Sequence, residues 1–382
     1  MGIRANLLHR CRPPRFNSRV PPVEINTEPP NPKGERRVYF KWFVMTVTTL
    51  VGLLAVVGVM FKQERLIISW TPFEFRVQIP PRYLQEKSFA KTGHRYLFDE
   101  LLGWKNIPNF EATTLGNPLS INSMGLRDRE YPYAKPPGTR RILVLGDSMT
   151  WGLGVGDDDI FTEVLERQYA TDGKPVEVIN AAVSGWGTDQ QLLFLQSEGF
   201  KYQPDVVLLN FYLVNDPTDN VSTIRYWMGK PCFMTGSLDQ YVLARYSPGP
   251  PQENIEGLNE LDMSTTLVAG VERSCRERGV RFVLMTCGIF GLPDKFFSEF
   301  NRSFRDSMQG RLEQSLGGSN WLSFDVDAGL AASGVTPEQI FEGNIDVHWN
   351  AFGHKTVAGL LYDFLEQKLD NSPSANLAPR LN

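Results

Sequence analysis

Cysteine and histidine are both scarce. Four cysteines in 382 residues cannot build a disulfide-dense scaffold, and they form no Cys-x-x-Cys pair or Cys/His cluster with zinc-ligand spacing. No metal site and no cofactor is therefore expected. Any histidine-dependent chemistry must use His9, His94, His348 or His354. Positive charge is also scarce outside the N-terminus. Residues 1–41 carry nine Lys/Arg and three Glu, a net of +6, against −4 for the whole chain. The rest is acidic, which argues against nucleic acid as a partner, since phosphate binding needs clustered Lys/Arg. What is present is enough for a core: 42% of residues are hydrophobic and 21% charged. The length suits one or two domains.

Residues 42–61 read WFVMTVTTLVGLLAVVGVMF, without a charge or a proline. As a helix this run spans ~30 Å, the thickness of a bilayer core. Arg36, Arg37 and Lys41 precede it, and the more basic flank is expected to stay in the cytoplasm. The expectation is one N-terminal transmembrane helix at 42–61. It gives a single-pass protein of a bacterial cytoplasmic membrane, N-terminus inside and the rest outside (periplasmic). A cleaved signal peptide is the rival, but its apolar region is normally ~7–15 residues with a small-x-small cleavage site. VMFKQERL offers no such site. Residues 1–41, with seven prolines and scattered arginines, read as a disordered basic cytoplasmic tail. Residues 371–382 read as a second disordered tail.

Residues 62–140 show no clear periodicity, and are expected to form an irregular prelude that packs its recurrent aromatics on the main domain. From 141 to 370 strand and helix patterns alternate. Apolar runs at Arg141–Asp147, Val176–Val183, Asp205–Asn215, Arg281–Cys287 and Trp321–Val326 read as buried strands. Helical spacing falls at Phe161–Ala170, Asp189–Glu198, Asp262–Arg278, Phe296–Leu316 and Gly353–Leu369. This alternation predicts an α/β fold, a parallel sheet with helices on both faces. Its reactive groups belong at the carboxyl ends of the strands.

The segment Leu145-Gly146-Asp147-Ser148-Met149-Thr150-Trp151-Gly152 directly follows the first of these strands. A serine at a strand-to-helix turn lies beside exposed backbone N–H groups that can receive an oxyanion. The turn has no lysine for a phosphate loop, and position 150 is Thr where a Gly-x-Ser-x-Gly elbow needs Gly. A helix-capping serine is the bland alternative. Far along the chain, Asn344-Ile345-Asp346-Val347-His348-Trp349-Asn350 precedes the last helix. The order Ser…Asp…His suits a triad in which Asp346 orients His348 and His348 activates Ser148. His9 lies on the cytoplasmic side and His94 in the prelude. His354 lies one turn into the helix, where packing or capping is expected.

Four blocks resemble the SGNH hydrolase superfamily, the GDSL-like esterases. They are Gly146-Asp147-Ser148, Val183-Ser184-Gly185-Trp186-Gly187-Thr188, Asn215-Asp216, and Asp346 with His348 followed by Trp349-Asn350 and Gly353-His354. The resemblance implies a flavodoxin-like three-layer αβα sandwich with a parallel sheet. It implies Ser148 as nucleophile, His348 as general base and Asp346 as the acid. The implied oxyanion hole is the N–H groups of Ser148 and Gly185 and the side-chain amide of Asn215. Two departures stand out. The last block is Asp-x-His where the superfamily usually has Asp-x-x-His, so Asp325 and Asp327 remain outside candidates. Leu213 stands where the third block usually has Gly. Leu102-Gly103-Trp104, Pro108-Asn109 and Ile121–Asp128 are similar to segments that precede the domain in membrane-anchored bacterial members, and a packed turn is the simplest reading of Arg127.

Trp151, Trp186 and Trp349 fall inside the blocks and are candidate substrate-binding aromatics, with core packing as the alternative. Residues 217–258 interrupt the pattern and could form a lid or a surface loop. Cys232, Cys275 and Cys287 allow at most one internal disulfide. The expected activity is a serine-dependent acyl-ester hydrolase, an esterase or deacetylase. Its expected partners are an acylated carbohydrate or lipid substrate and the membrane through residues 42–61. An O-acyltransferase with the same triad, or a catalytically silent glycan-binding module, are the alternatives.

Overall fold

The structure is a computed structural model. It describes residues 41–52, 67–71, 74–78, 96–225, 228–234, 241–243, 257–292, 295–317, 321–341 and 348–369. The chain divides into two units, residues 1–64 and 65–382. In the first, residues 41–52 form a helix with exposed side chains. The remainder of the expected membrane span, 53–61, lies outside the described residues, as do residues 1–40 of the first expected tail and all of the second. Among the described residues no helix is long and apolar enough to cross a membrane.

The second unit opens with antiparallel hairpins. They pair β1 (Ile67–Thr71) with β2 (Glu74–Gln78), β3 (Tyr96–Asp99) with β4 (Gly103–Asn106), and β5 (Phe110–Thr114) with β6 (Asn117–Ile121). The described part of the expected irregular prelude thus contains paired strands. Strands of four or five residues carry too little alternation to be read from sequence.

The main sheet comprises β7 (Arg140–Leu145), β8 (Val176–Asn180) and β9 (Val206–Tyr212). After β9 come two small hairpins. One joins β10 (Ile224–Arg225) to β11 (Met228–Gly229), the other β12 (Pro231–Phe233) to β13 (Tyr241–Leu243). The segment after Asn215 therefore holds local pairings, and residues 235–240 and 244–256 lie outside the described residues. The sheet is completed by β14 (Arg281–Cys287) and β15 (Trp321–Asp325). Its order is β15-β14-β9-β7-β8, and every pairing is parallel. This is the doubly wound order in which the chain reverses direction across the sheet beside its first strand.

Alternate side chains of β7 enter opposite cores. Leu143 and Leu145 pack with Leu192, Leu195, Leu267 and Val271 from helices Thr188–Ser197 and Glu260–Arg276. Ile142 and Val144 pack with Phe161, Leu165, Val357 and Leu361 from helices Phe161–Thr171 and Ala351–Leu369. Burial on both faces accounts for the unbroken apolar runs. The result is the three-layer αβα sandwich of the SGNH fold. Its switch point lies between β7 and β9, where ligands bind in open sheets of this kind.

Candidate active site

Ser148 begins a one-turn helix, Ser148–Trp151, at the carboxyl end of β7. The turn into it is tight: a Cβ on Gly146 would lie 2.2 Å from Thr150 Oγ1. Asp147 caps the helix by accepting the Met149 N–H at 2.9 Å. Ser148 is buried, and its Oγ lies 2.8 Å from Nε2 of half-buried His348. Those residues are 200 positions apart, and the fold brings them into direct hydrogen-bond contact.

The residues just after His348 hold it in place. Trp349 pairs with Phe341 across an isolated antiparallel bridge. The Asn350 N–H donates to the Ile340 carbonyl at 2.8 Å, and its side-chain oxygen accepts from Gly353 N–H at 2.9 Å. Asp346 lies outside the described residues. The two outside candidates for its role make other contacts. Asp325 caps helix Val326–Ser333 through Ala328 N–H and pairs with Arg305. Asp327 accepts the N–H groups of Gly288 and Phe290, and burial pushes its carboxyl up to about 6.

Three groups expected around an oxyanion sit on neighbouring strand ends. Among the described residues no acceptor takes the backbone N–H of Ser148 or of Gly185. Gly185 has φ +80°, a left-handed conformation natural to glycine, in the turn closed by Trp186 N–H on the Val183 carbonyl at 3.1 Å. Asn215 is more constrained than the sequence suggests. Its Nδ2 donates to Asp147 at 3.1 Å and to Asp219 at 3.0 Å, and its Oδ1 is buried without a partner among the described residues.

The surroundings of Asn215 are unusually acidic for a buried site. Desolvation raises the Asp147 carboxyl, against the opposing pull of the Met149 N–H and nearby His348. Burial pushes Asp219 up to about 6, opposed by Arg225 and Lys230. Buried Lys230 pairs with buried Asp189 and donates to the carbonyls of Asp219 and Ser222. This cation ties the segment after β9 to the start of helix Thr188–Ser197.

Trp151, Trp186 and Trp349 are 2%, 1% and 3% exposed, in keeping with the core packing named as the alternative to substrate binding. His354 is fully buried. Its Nδ1 accepts the Phe161 N–H at 3.2 Å, and burial, with Arg127 and His348 nearby, pushes it down to about 3, so it stays neutral. It caps helix Phe161–Thr171, whose own N-cap residue provides no side-chain bond. Cys232, Cys275 and Cys287 are buried free thiols. A separate cleft of about 430 Å³, lined by Phe290, Arg302, Arg305, Asp325 and Asp327 among others, includes neither Ser148 nor His348.

Arg127 proves to be a central element. Its buried guanidinium donates to the carbonyls of Trp151, Gly152, Val155 and Pro118 and to the Asp157 carboxylate, and it stacks on the Trp151 ring at 4.5 Å. It thereby satisfies the chain end that leaves the one-turn helix of Ser148. No sequence signal marks this, because most of its acceptors are backbone carbonyls. Asp157, in the acidic run Asp157-Asp158-Asp159, is the carboxylate paired with Arg127.

The sequence model of the GDSL-like lipase/acylhydrolase family matches residues 144–356, from β7 through the His348 turn. The chain belongs to this family. It is accordingly an ester-bond hydrolase. Solved structures similar to it include TesA, at 15% identity over 60% of this chain and 99% of that one, with a TM-score of 0.41. The psychrotrophic esterase EstA from Pseudoalteromonas sp. aligns at 16% identity over 61% and 100%, TM-score 0.41. Axe2, an acetylxylan esterase from Geobacillus stearothermophilus, aligns at 15% identity over 60% and 93%, TM-score 0.40. No curated protein sequence matches the chain.

Proposed function

We propose that the protein is a serine esterase that removes acyl groups from an O-acylated glycan or glycolipid of the bacterial envelope. In this reading it works outside the cytoplasmic membrane, anchored by residues 42–61. The observation that carries the chemistry is the 2.8 Å contact between Ser148 Oγ and His348 Nε2 at the switch point of the sheet. In the first step Ser148 Oγ attacks the acyl carbonyl while its proton passes to His348 Nε2. The ester C–O bond then breaks, the imidazolium returns the proton to the departing alcohol, and an acyl-Ser148 remains. Water, activated by His348, cleaves that ester and restores the serine. Asp346 orients His348. The Ser148 and Gly185 N–H groups, with Asn215, receive the oxyanion in both steps.

The envelope location rests on the charge-free run at 42–61 and its basic flank. The test uses the full chain in detergent with a chromogenic acetyl ester and with acetylated envelope glycans. The proposal expects acetate release from both, abolished in Ser148→Ala. Release that rises only when a glycan acceptor is added would make the protein an O-acyltransferase. Inert behaviour toward every ester would leave a binding module. A reporter fused after residue 382 should be active only outside the cytoplasm, and activity inside would overturn the proposed topology.

A further inference from the structure

The turn Val183–Trp186 presents the Gly185 N–H, and its geometry makes that N–H vulnerable. A four-residue turn closed by an i to i+3 bond has two common forms. They differ by a flip of the central peptide plane, and the form with positive φ at the third residue is type II. Here the closing bond runs from Trp186 N–H to the Val183 carbonyl, and the third residue, Gly185, has φ +80°. The central peptide joins Ser184 to Gly185. Because a peptide is planar and trans, its carbonyl oxygen and its N–H point in opposite directions. Whatever holds the Ser184 carbonyl therefore aims the Gly185 N–H.

The group that holds it comes from outside the sheet. Trp104, in β4, is completely buried, and its Nε1–H donates to the Ser184 carbonyl at 3.3 Å. The arrangement is reciprocal, since Trp186 Nε1–H donates to the Trp104 carbonyl at 2.9 Å. Gln190, from the helix after the turn, donates to the Leu102 carbonyl at 2.6 Å. At Gly103 a Cβ would lie 2.6 Å from the Gly229 carbonyl oxygen, so the hairpin is wedged against β11 as well. Trp104 is thus held at its own backbone and has little freedom to release the carbonyl. Its hydrogen bond also polarises the peptide, which strengthens the Gly185 N–H as a donor.

We infer that Trp104 is a positioning residue for acyl transfer: its indole N–H locks the Ser184–Gly185 peptide in the orientation that presents the Gly185 N–H to the oxyanion. The inference rests on the proposed Ser148 chemistry. It makes the hairpin that precedes the domain a working part of the active site, where the sequence shows only a segment of undefined role.

The test is Trp104→Phe in the full chain, which removes the N–H and keeps an aromatic ring. Tyr131→Phe is the control. Tyr131 donates to Glu166 and lies in the same N-terminal segment, so its loss removes a buried hydrogen bond that touches neither Ser148 nor the 183–186 turn. The expected result is a kcat lowered about tenfold or more in Trp104→Phe, with KM within twofold, because the oxyanion forms only in the transition state. The rate of covalent labelling of Ser148 by a serine-directed phosphonate should fall by a similar factor. Tyr131→Phe should lower the melting temperature and leave both rates unchanged. If Trp104→Phe does not fold, 3-benzothienylalanine at position 104 keeps the ring shape and lacks only the N–H. A kcat and labelling rate within twofold of wild type in the folded variant would overturn the inference. Absence of Ser148-dependent hydrolysis in the wild type would instead remove the reading beneath it.

Discussion

Asn215 donates an amide hydrogen to the Asp219 carboxylate at 3.0 Å. The same nitrogen also serves Asp147, the residue before Ser148, at 3.1 Å. An amide that must also stabilise an oxyanion therefore has to share or exchange one of these bonds as charge develops on the substrate. Asn215→Ala should lower kcat by ~100–1,000-fold with little change in KM. It should also lower the melting temperature, because two buried carboxylates lose a donor. Steady-state kinetics on the folded fraction decides the point. A normal kcat would reduce Asn215 to a structural tie between Asp147 and Asp219.

Arg127→Lys tests the anchoring of the helix Ser148–Trp151. A lysine ammonium cannot reproduce the planar fork that reaches the carbonyls of Trp151, Gly152 and Val155 together. Leaving buried carbonyls and Asp157 without their partner should destabilise the domain by about 3 kcal/mol. Chemical denaturation of both proteins measures this. Stability equal to wild type would show that the turn after Ser148 is held by other contacts.

Buried His354 makes stability depend on pH. Its folded value lies near 3, below the ordinary 6.5, chiefly because burial penalises the charged form. The unfolded chain therefore takes up a proton at a higher pH than the folded one. The contribution of neutral His354 is complete above about pH 6.5 and is lost as pH falls through the range from 6.5 to about 3. At pH 4 the loss relative to pH 7 is on the order of 3 kcal/mol. His354→Gln keeps an acceptor and cannot take up a proton, so its stability should vary less between pH 7 and pH 4. Equal pH profiles for the two proteins would count against a buried neutral imidazole.

How far the sequence reveals this molecule depends on the range of the interaction. The strands of the main sheet are visible as apolar runs because the inner ones are buried on both faces, as Ile142 to Leu145 illustrate, while the edge strand Trp321–Asp325 is only partly buried and its run is weaker. Ser148 and His348 are visible because each sits in a short local pattern beside a predicted element. The hairpins before the sheet are not visible, since their strands are short and their partners close. The roles of Trp104 and Arg127 are not visible either. Both act on backbone carbonyls far along the chain, and a carbonyl leaves no trace in residue identity. Trp151, Trp186 and Trp349 lie close to the motifs in sequence, but each is packed in a different apolar cluster, which spacing alone does not reveal.

The acid of the triad is the most sequence-dependent assignment. Asp346→Asn should preserve the fold and lower kcat by about 10⁴-fold, because the imidazole loses its orienting carboxylate. Parallel assays of Asp325→Asn and Asp327→Asn should show little loss of turnover, given the commitments of those carboxylates to Arg305 and to the Gly288 and Phe290 N–H groups. Near-normal turnover in Asp346→Asn would contradict the assignment.

The central claim is that Ser148, activated by His348, forms the covalent intermediate. Its most direct measurement is labelling of the full-length protein with a serine-directed phosphonate, followed by peptide mass spectrometry. The account predicts one adduct, on Ser148, formed rapidly in the wild type, absent in Ser148→Ala and at least a hundredfold slower in His348→Ala at unchanged fold. An adduct on another residue, or labelling of Ser148 at the same rate without His348, would contradict it.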